Sequence, residues 1–377
     1  YIELRNIMRP TYLTINTSLV RENLRKIKDS LPEWSTSTAV IKANGYGHGS
    51  VMMGRIAVEE GYESLAVAIP EESVPLRNAG IMVPIYLLGL TRPQSFELVA
   101  DTNSIPAVCE STDLDALDKV AENHDMIIRV AVAVDTGMHR IGIKPEDAVE
   151  FIKRVESYEN LEVDGFFSHM SNADAADQSH AHGQAQKFHK MVDEIRAFRP
   201  DADYRFSLAN SAGLLSVKDS LFTDARPGII QYGIMPSLDV PNRLGLKPVL
   251  SFHSEVVHVQ RLEAGEGIGY GSTYVTPEPM TIATIPVGYA DGYPRSLSNR
   301  GTVLIHGTRC PVVGRICMDQ FMVAVPDTIT VQPGDKVVLL GSQGHESISA
   351  LEIAALASTI PYEIFCGFSE RVPRQYI

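Results

Sequence analysis

The stretch TAVIKANGYGHGSVMMGRIAVEEGYESLAVA, residues 38–68, indicates how this chain folds. It contains two short apolar runs, Thr38–Ile41 and Leu65–Ala68, separated by a glycine-bearing loop and a helical segment. Strand, helix and strand in this order are typical of a parallel β/α unit, because parallel strands need a long crossover connection. The stretch therefore predicts an α/β fold.

The same alternation continues through about the first 235 residues. Six further apolar runs are candidate strands: Pro84–Leu88, Ile105–Cys109, Met126–Val134, Leu161–Phe167, Arg205–Leu208 and Ile229–Tyr232. Amphipathic helical patterns occur at Ser18–Leu31, Asp113–Asn123, Pro145–Ser157 and Gln178–Phe198. Eight strands that alternate with helices predict a closed barrel, since eight β/α units close this fold. We expect an N-terminal (β/α)8 TIM-like barrel over residues 1–240.

The pattern changes after the turn-rich stretch Ser237–Lys247. Short strands joined by Gly-, Pro- and Asp-containing turns are predicted at Leu250–Val259, Met280–Val287, Thr302–Ile305, Gln320–Ala324 and Lys336–Leu340. Only Ala350–Ser358 has a helical pattern in this part of the chain. Residues 241–377 are therefore expected to form a C-terminal, mostly β domain.

Composition excludes several classes of protein. The 377 residues include 33 basic and 46 acidic side chains, and this net charge of −13 argues against binding nucleic acid over a broad surface. No apolar run approaches the ~18 residues that cross a membrane, and the first residues show no apolar core of a secretion signal. Four cysteines without CxxC spacing fit a reducing compartment. We expect a cytoplasmic protein with no membrane or nucleic-acid partner.

Lys42 is the first candidate for chemistry. It directly follows the predicted strand that ends at Ile41, and active sites of β/α barrels lie at the carboxyl ends of the strands. Beside an apolar barrel interior the lysine pKa would fall, which makes the amine nucleophilic enough for a Schiff base. A solvated loop lysine is the alternative. His169 also follows a predicted strand, and either a structural or a catalytic role fits it.

The motif AVIKANGYGHG resembles the pyridoxal-phosphate (PLP) lysine motif of the alanine racemases. The resemblance continues in the family's order along nearly the whole chain. The segments that carry it are VDTGMHRIG (134–142), GFFSHMSNAD (165–174), ANSAG (209–213), ARPGIIQYGIMP (225–236), GYGSTY (269–274), VGYADGYPR (287–295), VGRICMDQ (313–320) and IPYEIFCGFSERVPR (360–374). It implies a β/α barrel with a β domain, PLP as cofactor, a small amino acid as substrate, and a homodimer with shared active sites.

The resemblance also implies a two-base mechanism. PLP delocalises the charge of the substrate carbanion, and the protein places one base on each face of the planar intermediate. Lys42 corresponds to the lysine that holds PLP and serves as the base on one face. Tyr270 corresponds to the opposite base, which reaches the site from the partner subunit. Because a phenol has a pKa near 10, such a tyrosine needs hydrogen bonds or cations that stabilise its phenolate.

The same resemblance assigns supporting roles around the cofactor. Arg226 corresponds to an arginine that hydrogen-bonds the pyridine nitrogen, and His169 links it toward the tyrosine. A guanidinium keeps its proton, so the ring nitrogen stays unprotonated and the ring is a weaker electron sink, which restrains transamination. The residues matching phosphate-binding positions are Tyr46, Ser211, Gly228, Ile229 and Tyr362. Ser211 is in addition a candidate N-cap for the helix that follows ANS.

The substrate side is implied in the same way. Arg140 corresponds to an arginine near the substrate carboxylate, Met318 to a partner-subunit residue that donates its backbone N–H there, and Tyr289 to a tyrosine at the entrance. One position departs from the family pattern: many members carry a carbamylated lysine that orients this arginine, and the chain has Ala133 instead. A bound anion such as chloride, or water, would have to occupy the space beside Arg140.

Alanine racemase activity, with D-alanine supplied for peptidoglycan, is the function that the resemblance implies. Ala133 leaves open a racemase that prefers serine or accepts larger amino acids. A fold-related PLP decarboxylase is a second alternative, although its protonated ring would not suit Arg226. A PLP-binding protein without turnover is a third, although such proteins lack the second domain. His180 and His182 have spacing that could suit a metal, but no carboxylate or thiolate set surrounds them, so no metal site is predicted.

Overall fold

The computed structural model describes residues 9–377, which divide into two units. One unit contains Leu19–Lys247, and the other contains residues 9–18 together with Pro248–Ile377. The predicted domains, 1–240 and 241–377, had placed the first strand, β1 (Tyr12–Ile15), with the barrel. In the structure β1 instead pairs antiparallel with Leu250–Glu255 and parallel with Arg374–Tyr376. Nothing local in the sequence of β1 encodes these partners, which lie more than two hundred residues away.

The first unit is a closed barrel of eight parallel strands. They are β2 (Thr36–Val40), β3 (Ser64–Val67), β4 (Ile85–Leu90), β5 (Ile105–Val108), β6 (Ile128–Ala133), β7 (Leu161–Phe167), β8 (Arg205–Ser207) and β9 (Asp224–Ala225). The α-helices of this part of the chain are Thr17–Asp29, Ser50–Glu59, Ser73–Asn78, Phe96–Thr102, Leu114–Asn123, Ala148–Val155, Ser179–Phe198 and Ser211–Ser216. A further helical turn spans Lys42–Tyr46. The predicted α/β barrel is confirmed.

The eighth strand does not lie where the sequence predicted it. Ile229–Tyr232, the expected strand, forms a 3-10 turn, whereas the barrel is closed by the two-residue strand β9, which pairs with β2 and β8. The prediction was wrong because it looked for an apolar run. β9 instead begins with Asp224, a buried carboxylate that such a criterion rejects.

Asp224 is stable inside the barrel because polar side chains surround it. One carboxylate oxygen accepts hydrogen bonds from Thr38 Oγ1 at 2.9 Å and from Arg205 Nη1 at 3.2 Å. The other accepts a hydrogen bond from Ser207 Oγ at 2.6 Å. A buried charge costs a large desolvation energy unless it is paired and hydrogen-bonded, and here both conditions hold.

The second unit is built on a ten-stranded sheet, as the predicted mostly β domain requires. Its strands from residue 248 onward are β10 (Leu250–Glu255), β11 (His258–Leu262), β12 (Gly267–Ile268), β13 (Tyr274–Val275), β14 (Met280–Ile285), β15 (Thr302–Ile305), β16 (Thr308–Val313), β17 (Phe321–Val325), β18 (Lys336–Gln343), β19 (Glu346–Ile348) and β20 (Arg374–Tyr376). The sheet order is β11-β14-β17-β16-β15-β18-β10-β1-β20, with β19 paired to β18 and with β12 and β13 forming a separate ribbon. Two helices, Ala350–Ala357 and Pro361–Cys366, complete the unit.

Two predictions of strands in this unit need correction. The expected strand Leu250–Val259 is two strands, β10 and β11. The chain changes partner between them, because the backbone N–H of Val256 donates to the oxygen of Asp335 and that of Val257 donates to the oxygen of Thr284. β16 was not predicted, since Arg309 and Pro311 interrupt its apolar pattern. Among the described residues, no helix is long and apolar enough to cross a membrane.

Candidate active site

Lys42 is presented by an unusual backbone turn. Strand β2 ends at Val40, and the four residues that follow Lys42 all have left-handed backbone angles, with φ of 52° at Ala43, 53° at Asn44, 62° at Gly45 and 50° at Tyr46. Outside glycine this conformation costs roughly 1–2 kcal/mol per residue. The Asn44 side chain stabilises the turn by accepting a hydrogen bond from the backbone N–H of Ser50 at 2.9 Å. Strain of this kind is typical of functional sites.

A cavity of about 270 Å³ lies at the carboxyl ends of the barrel strands, where β/α barrels build active sites. It brings together Lys42, Arg140, His169 and Arg226, four of the residues that the sequence analysis singled out. Its other lining residues are Ala68, Leu88, Gly89, Ala133, Val134, Asp135, Met138, Ile141, Phe167 and Ser168. The charged groups in this wall are mainly cationic, although the chain as a whole is acidic.

Arg226 directly follows β9 and is buried. Its Nη2 donates a hydrogen bond to the backbone oxygen of Ser168, whereas its Nη1 is buried without a hydrogen-bond acceptor among the described residues. Burial lowers the pKa of Arg226 to about 10, with Asp224 opposing this effect and Arg140 adding to it. The guanidinium is therefore charged at neutral pH, and one of its nitrogens needs an acceptor.

His169 is held as a neutral imidazole. Burial, with the positive charges of Arg226, Arg140 and Lys42, lowers the pKa of His169 to about 3. Its backbone oxygen accepts a hydrogen bond from Gln184 Nε2 at 2.9 Å, which fixes the position of this residue after β7. Its Nε2 lies 3.4 Å from Asn210 Nδ2.

Three of the predicted phosphate-binding residues, Tyr46, Ser211 and Gly228, lie next to one another. Ser211 Oγ accepts a hydrogen bond from the backbone N–H of Gly228 at 2.8 Å. A Cβ atom added to Gly228 would lie 2.5 Å from the Tyr46 hydroxyl, so glycine is required there. Ile229 is buried at the start of the 3-10 turn. The N-cap of the helix Ser211–Ser216 is Asn210, whose side-chain oxygen accepts a hydrogen bond from the backbone N–H of Gly213 at 2.9 Å. The predicted capping role of Ser211 was therefore wrong, and the Ser211 hydroxyl bonds to Gly228 instead.

Arg140 is exposed on a loop that Asp135 closes. One carboxylate oxygen of Asp135 accepts hydrogen bonds from the backbone N–H groups of Gly137, Met138 and His139 at 2.9–3.1 Å. Burial opposes ionisation, but the hydrogen bonds from His139 and Gly137 hold the pKa of Asp135 below its ordinary value. Two backbone hydrogen bonds join the ends of the loop. The Asp135 N–H donates to the Ile143 oxygen at 2.8 Å, and the Ile143 N–H donates to the Ala133 oxygen at 2.9 Å.

The remaining predicted site residues belong to the second unit. Tyr270 and Met318 line one open groove of about 640 Å³, and the two side chains are 72% and 53% exposed. Tyr289 is also exposed, and its backbone N–H donates to the oxygen of Cys317 at 3.1 Å, which ties its turn to the segment that carries Met318. Tyr362 lies half-buried in the helix Pro361–Cys366.

The sequence analysis did not identify Ser168 or Asp135. Ser168 acts through its backbone oxygen, which any residue carries. Asp135 lines the cavity and accepts hydrogen bonds from three backbone N–H groups of the loop that carries Arg140. Asp followed by a glycine-containing turn was the only signal for Asp135.

Comparison with known proteins identifies the family. Residues 15–236 match the alanine racemase N-terminal domain, and residues 249–376 match the alanine racemase C-terminal domain. The chain belongs to the alanine racemase family. It is 43% identical to the alanine racemase of Halothermothrix orenii over 372 residues, which are 99% of this chain and 98% of that protein.

Solved alanine racemases have the same fold as this member of the family. The enzyme from E. faecalis superposes with a TM-score of 0.91 at 37% identity, with 98% of each chain covered. The enzyme from Bartonella henselae, solved with covalently bound pyridoxal phosphate, gives a TM-score of 0.87 at 30% identity over 98% of this chain and all of that chain.

The residues of the cavity fit a pyridoxal phosphate. The buried Arg226 Nη1 needs an acceptor, and an unprotonated pyridine nitrogen is one. The Tyr46 and Ser211 hydroxyls beside Gly228 provide neutral donors of the kind that bind phosphate. Lys42 supplies a primary amine on the same wall.

Proposed function

We propose that this chain is a PLP-dependent alanine racemase that interconverts L- and D-alanine. The observation that carries the proposal is the meeting of Lys42, His169 and Arg226 in one cavity, with a buried guanidinium nitrogen that needs an acceptor. When bound, PLP supplies an electron sink that makes the α-proton of an amino acid acidic enough to remove. Everything else in the reaction is the work of side chains that position groups and move protons.

Lys42 would hold the cofactor through its side-chain amine and, once released, would serve as the base on one face of the substrate. A lysine amine in its neutral form can accept an α-proton. The left-handed turn at residues 43–46 aims this amine into the cavity.

Arg226 and His169 select the type of reaction. Arg226, whose guanidinium keeps its proton at neutral pH, would donate a hydrogen bond to the pyridine nitrogen of a bound PLP and leave that nitrogen unprotonated. A cofactor held in this way would favour return of the proton to the α-carbon of the substrate. His169, which is neutral because its pKa is about 3, accepts or donates hydrogen bonds without adding charge.

Tyr270 is proposed as the base on the opposite face, contributed by the partner subunit of a homodimer. The side chain is largely exposed and shares its groove with Met318, as a pair that enters a neighbour's site would. Met318 donates its backbone N–H to the substrate carboxylate, and Tyr289 lines the entrance. Ile229 and Tyr362 are the further residues that we propose for binding the phosphate.

Arg140 and Ala133 are the residues that bear on whether the substrate is alanine, serine or a larger amino acid. Ala133 is buried in the cavity wall and offers no group that could orient Arg140, so an anion such as chloride, or water, stays the prediction for this space. A larger or more polar substrate would use the same space. The proposal is therefore tested with a panel of L-amino acids that includes serine, each assayed for the D-isomer and for carbon dioxide with PLP added.

Alanine as the preferred substrate, with D-alanine as product and no carbon dioxide, is the expected result. Lys42→Ala should abolish both the visible absorbance of bound cofactor and its fixation by borohydride. Lys42→Arg is the matched control, because it keeps the charge but cannot form the covalent bond. If either variant kept the full visible absorbance of bound cofactor and its fixation by borohydride, the cofactor would be bound to another lysine.

We further propose a cytoplasmic location and a role in supplying D-alanine for peptidoglycan. Cys109, Cys310 and Cys317 form no disulfide bond, which supports a reducing compartment.

A further inference from the structure

Glu72 accepts hydrogen bonds from the backbone beside the cavity lysine and from the backbone at the end of the neighbouring strand β3. Its Oε1 accepts a hydrogen bond from the backbone N–H of Ala43 at 2.6 Å, directly after Lys42. Its Oε2 accepts a hydrogen bond from the backbone N–H of Ala68 at 2.7 Å, directly after β3. One carboxylate thus joins the carboxyl ends of two neighbouring barrel strands.

The place of Glu72 in the fold makes this bridge rigid. Glu72 ends the 3-10 turn Pro70–Glu72, whose first residue is a buried proline that limits the backbone. Ala68 is itself held by a second strand, since its oxygen accepts a hydrogen bond from the N–H of Gly89 at 3.0 Å. The carboxylate therefore anchors Ala43 to a part of the barrel that is fixed independently of the lysine turn.

Ala43 is the residue at which an anchor has most effect. It is the first of the four left-handed residues, it is exposed, and it lacks the side-chain groups that let asparagine adopt this conformation. Asn44 is held through Ser50, and Gly45 adopts positive φ without steric cost. The Glu72 carboxylate supplies a charge-assisted hydrogen bond at the point where the turn begins.

We propose that Glu72 is a positioning residue for Lys42: it holds the strained turn in the conformation that presents the amine to PLP. The inference rests on the proposed function, in which Lys42 is the cofactor lysine. The two hydrogen bonds that place Glu72 at the site, to Ala43 and to Ala68, both come from backbone N–H groups, so its proposed effect on the reaction passes through the position of Lys42.

Glutamate is required because the bridge needs two acceptors. A glutamine in the same place has one carbonyl oxygen and one amide NH2, so it can accept from only one of the two N–H groups and directs a donor at the other. Glu72→Gln is therefore the informative substitution. Glu71→Gln is a matched control, since it removes the same charge from the exposed neighbouring residue of the same turn.

The test uses the cofactor-free full chain of the wild type, E72Q, E71Q and Lys42→Ala. Two quantities are measured: the rate constant for uptake of added PLP, followed by absorbance and fixed with borohydride, and amide hydrogen exchange along the chain by mass spectrometry. We expect E72Q to take up PLP more slowly than E71Q by about tenfold or more. Exchange should rise in E72Q at residues 42–50 and at Ala68, and should match E71Q elsewhere.

Each outcome has a separate meaning. Uptake and local exchange in E72Q equal to those in E71Q would overturn the positioning role. Faster exchange throughout the barrel would also overturn it, because Glu72 would then act on global stability. If the wild type itself takes up no more PLP than Lys42→Ala, the proposed function fails, and the exchange data still decide whether Glu72 holds the turn. Should E72Q not fold, Glu72→Asp, one methylene too short to span both groups, is judged by the same criteria.

Discussion

Arg226 combines two properties that are rarely found in one side chain: it is buried, and one of its nitrogens lacks an acceptor among the described residues. A buried charged donor without a partner is costly, so the residue is built for something that arrives from outside the protein. The cation also sets the kind of chemistry, because a guanidinium keeps its proton where a carboxylic acid would give one to the ring nitrogen.

Replacing Arg226 with glutamate should therefore change the reaction and not only slow it. We expect Arg226→Glu to reduce racemisation by at least about 10²-fold and to convert bound PLP to pyridoxamine phosphate during turnover. Arg226→Lys, which keeps a cation, should lose activity without this conversion. Chromatography of the released cofactor after incubation with alanine measures both products. Equal amounts of pyridoxamine phosphate in the two variants would contradict the proposed role.

His169 makes a prediction about stability and pH. Its pKa is about 3 in the folded chain, against 6.5 for an ordinary histidine, so between these values the unfolded chain binds a proton that the folded chain does not. The free energy of unfolding should therefore fall as the pH falls through this range, by up to about 1.4 kcal/mol per pH unit from this group. Above pH 6.5 the contribution is constant.

The difference between the wild type and His169→Gln isolates this group. Urea unfolding of the cofactor-free proteins at pH 6.5, 5.5 and 4.5 should show the stability of the wild type decreasing relative to the variant. His258→Gln, at an exposed position, controls for the loss of an imidazole. A difference that does not change with pH would show that His169 is protonated in the folded chain.

Lys42 and His169 could be recognised from the sequence because each lies within two residues of the end of an apolar strand in a β/α pattern. Glu72 and Ser168 could not. Glu72 accepts two hydrogen bonds, from Ala68 nearby and from Ala43, which is 29 residues away. Ser168 accepts one from Arg226, which is 58 residues away. Such contacts depend on the closed barrel, which brings strand ends together, and leave no spacing rule in the chain.

The strand β9 could not be predicted from its own sequence, because the features that make it a strand lie on the neighbouring barrel strands. A parallel strand is normally recognised by a continuous apolar run, and β9 has two residues, one of them Asp224. What makes it a strand is its neighbours: Thr38 on β2 and Ser207 and Arg205 on β8 give the carboxylate its hydrogen bonds. The signal for the element is thus spread over three strands.

The same arrangement predicts a strong effect on stability. Asp224→Ala removes the carboxylate that pairs with Arg205 and that accepts hydrogen bonds from the hydroxyls of Thr36, Thr38 and Ser207, so the free energy of unfolding should fall by about 3–5 kcal/mol. Asp203→Ala, at an exposed position before β8, should change it by less than about 0.5 kcal/mol. Urea titration of both variants measures the difference. A loss in Asp224→Ala no larger than in the control would mean that the carboxylate is not part of a stabilising network.

For the whole molecule, the sequence correctly predicted a β/α barrel followed by a mostly β domain, because the change from β/α alternation to short strands with turns is visible along the chain. It did not predict that β1 joins the second unit, since that pairing depends on β10 and β20 at the far end of the chain. The proposed catalytic pair is divided in the same way: Lys42 belongs to the barrel unit and Tyr270 to the other.

This division makes a prediction about the proposed homodimer. If each active site combines Lys42 of one subunit with Tyr270 of the other, Lys42→Ala and Tyr270→Ala should each lose most of their activity alone. Co-expression with two different tags yields mixed dimers in which one site carries both defects and the other carries neither. A statistical mixture should then recover about a quarter of wild-type activity, since half of the dimers are mixed and each has one intact site.

The control pairs two barrel variants, Lys42→Ala and Arg226→Glu. In their mixed dimer both sites carry one defect, so no recovery is expected although the subunits assemble in the same way. Doubly tagged dimers are purified and assayed for D-alanine formation, with tag stoichiometry measured by mass spectrometry. Recovery in the first pair and not in the second requires sites shared between subunits. Absence of recovery in properly mixed dimers of both pairs would place Lys42 and Tyr270 of each active site in the same chain. Near-normal activity of Tyr270→Ala alone would remove Tyr270 from the mechanism.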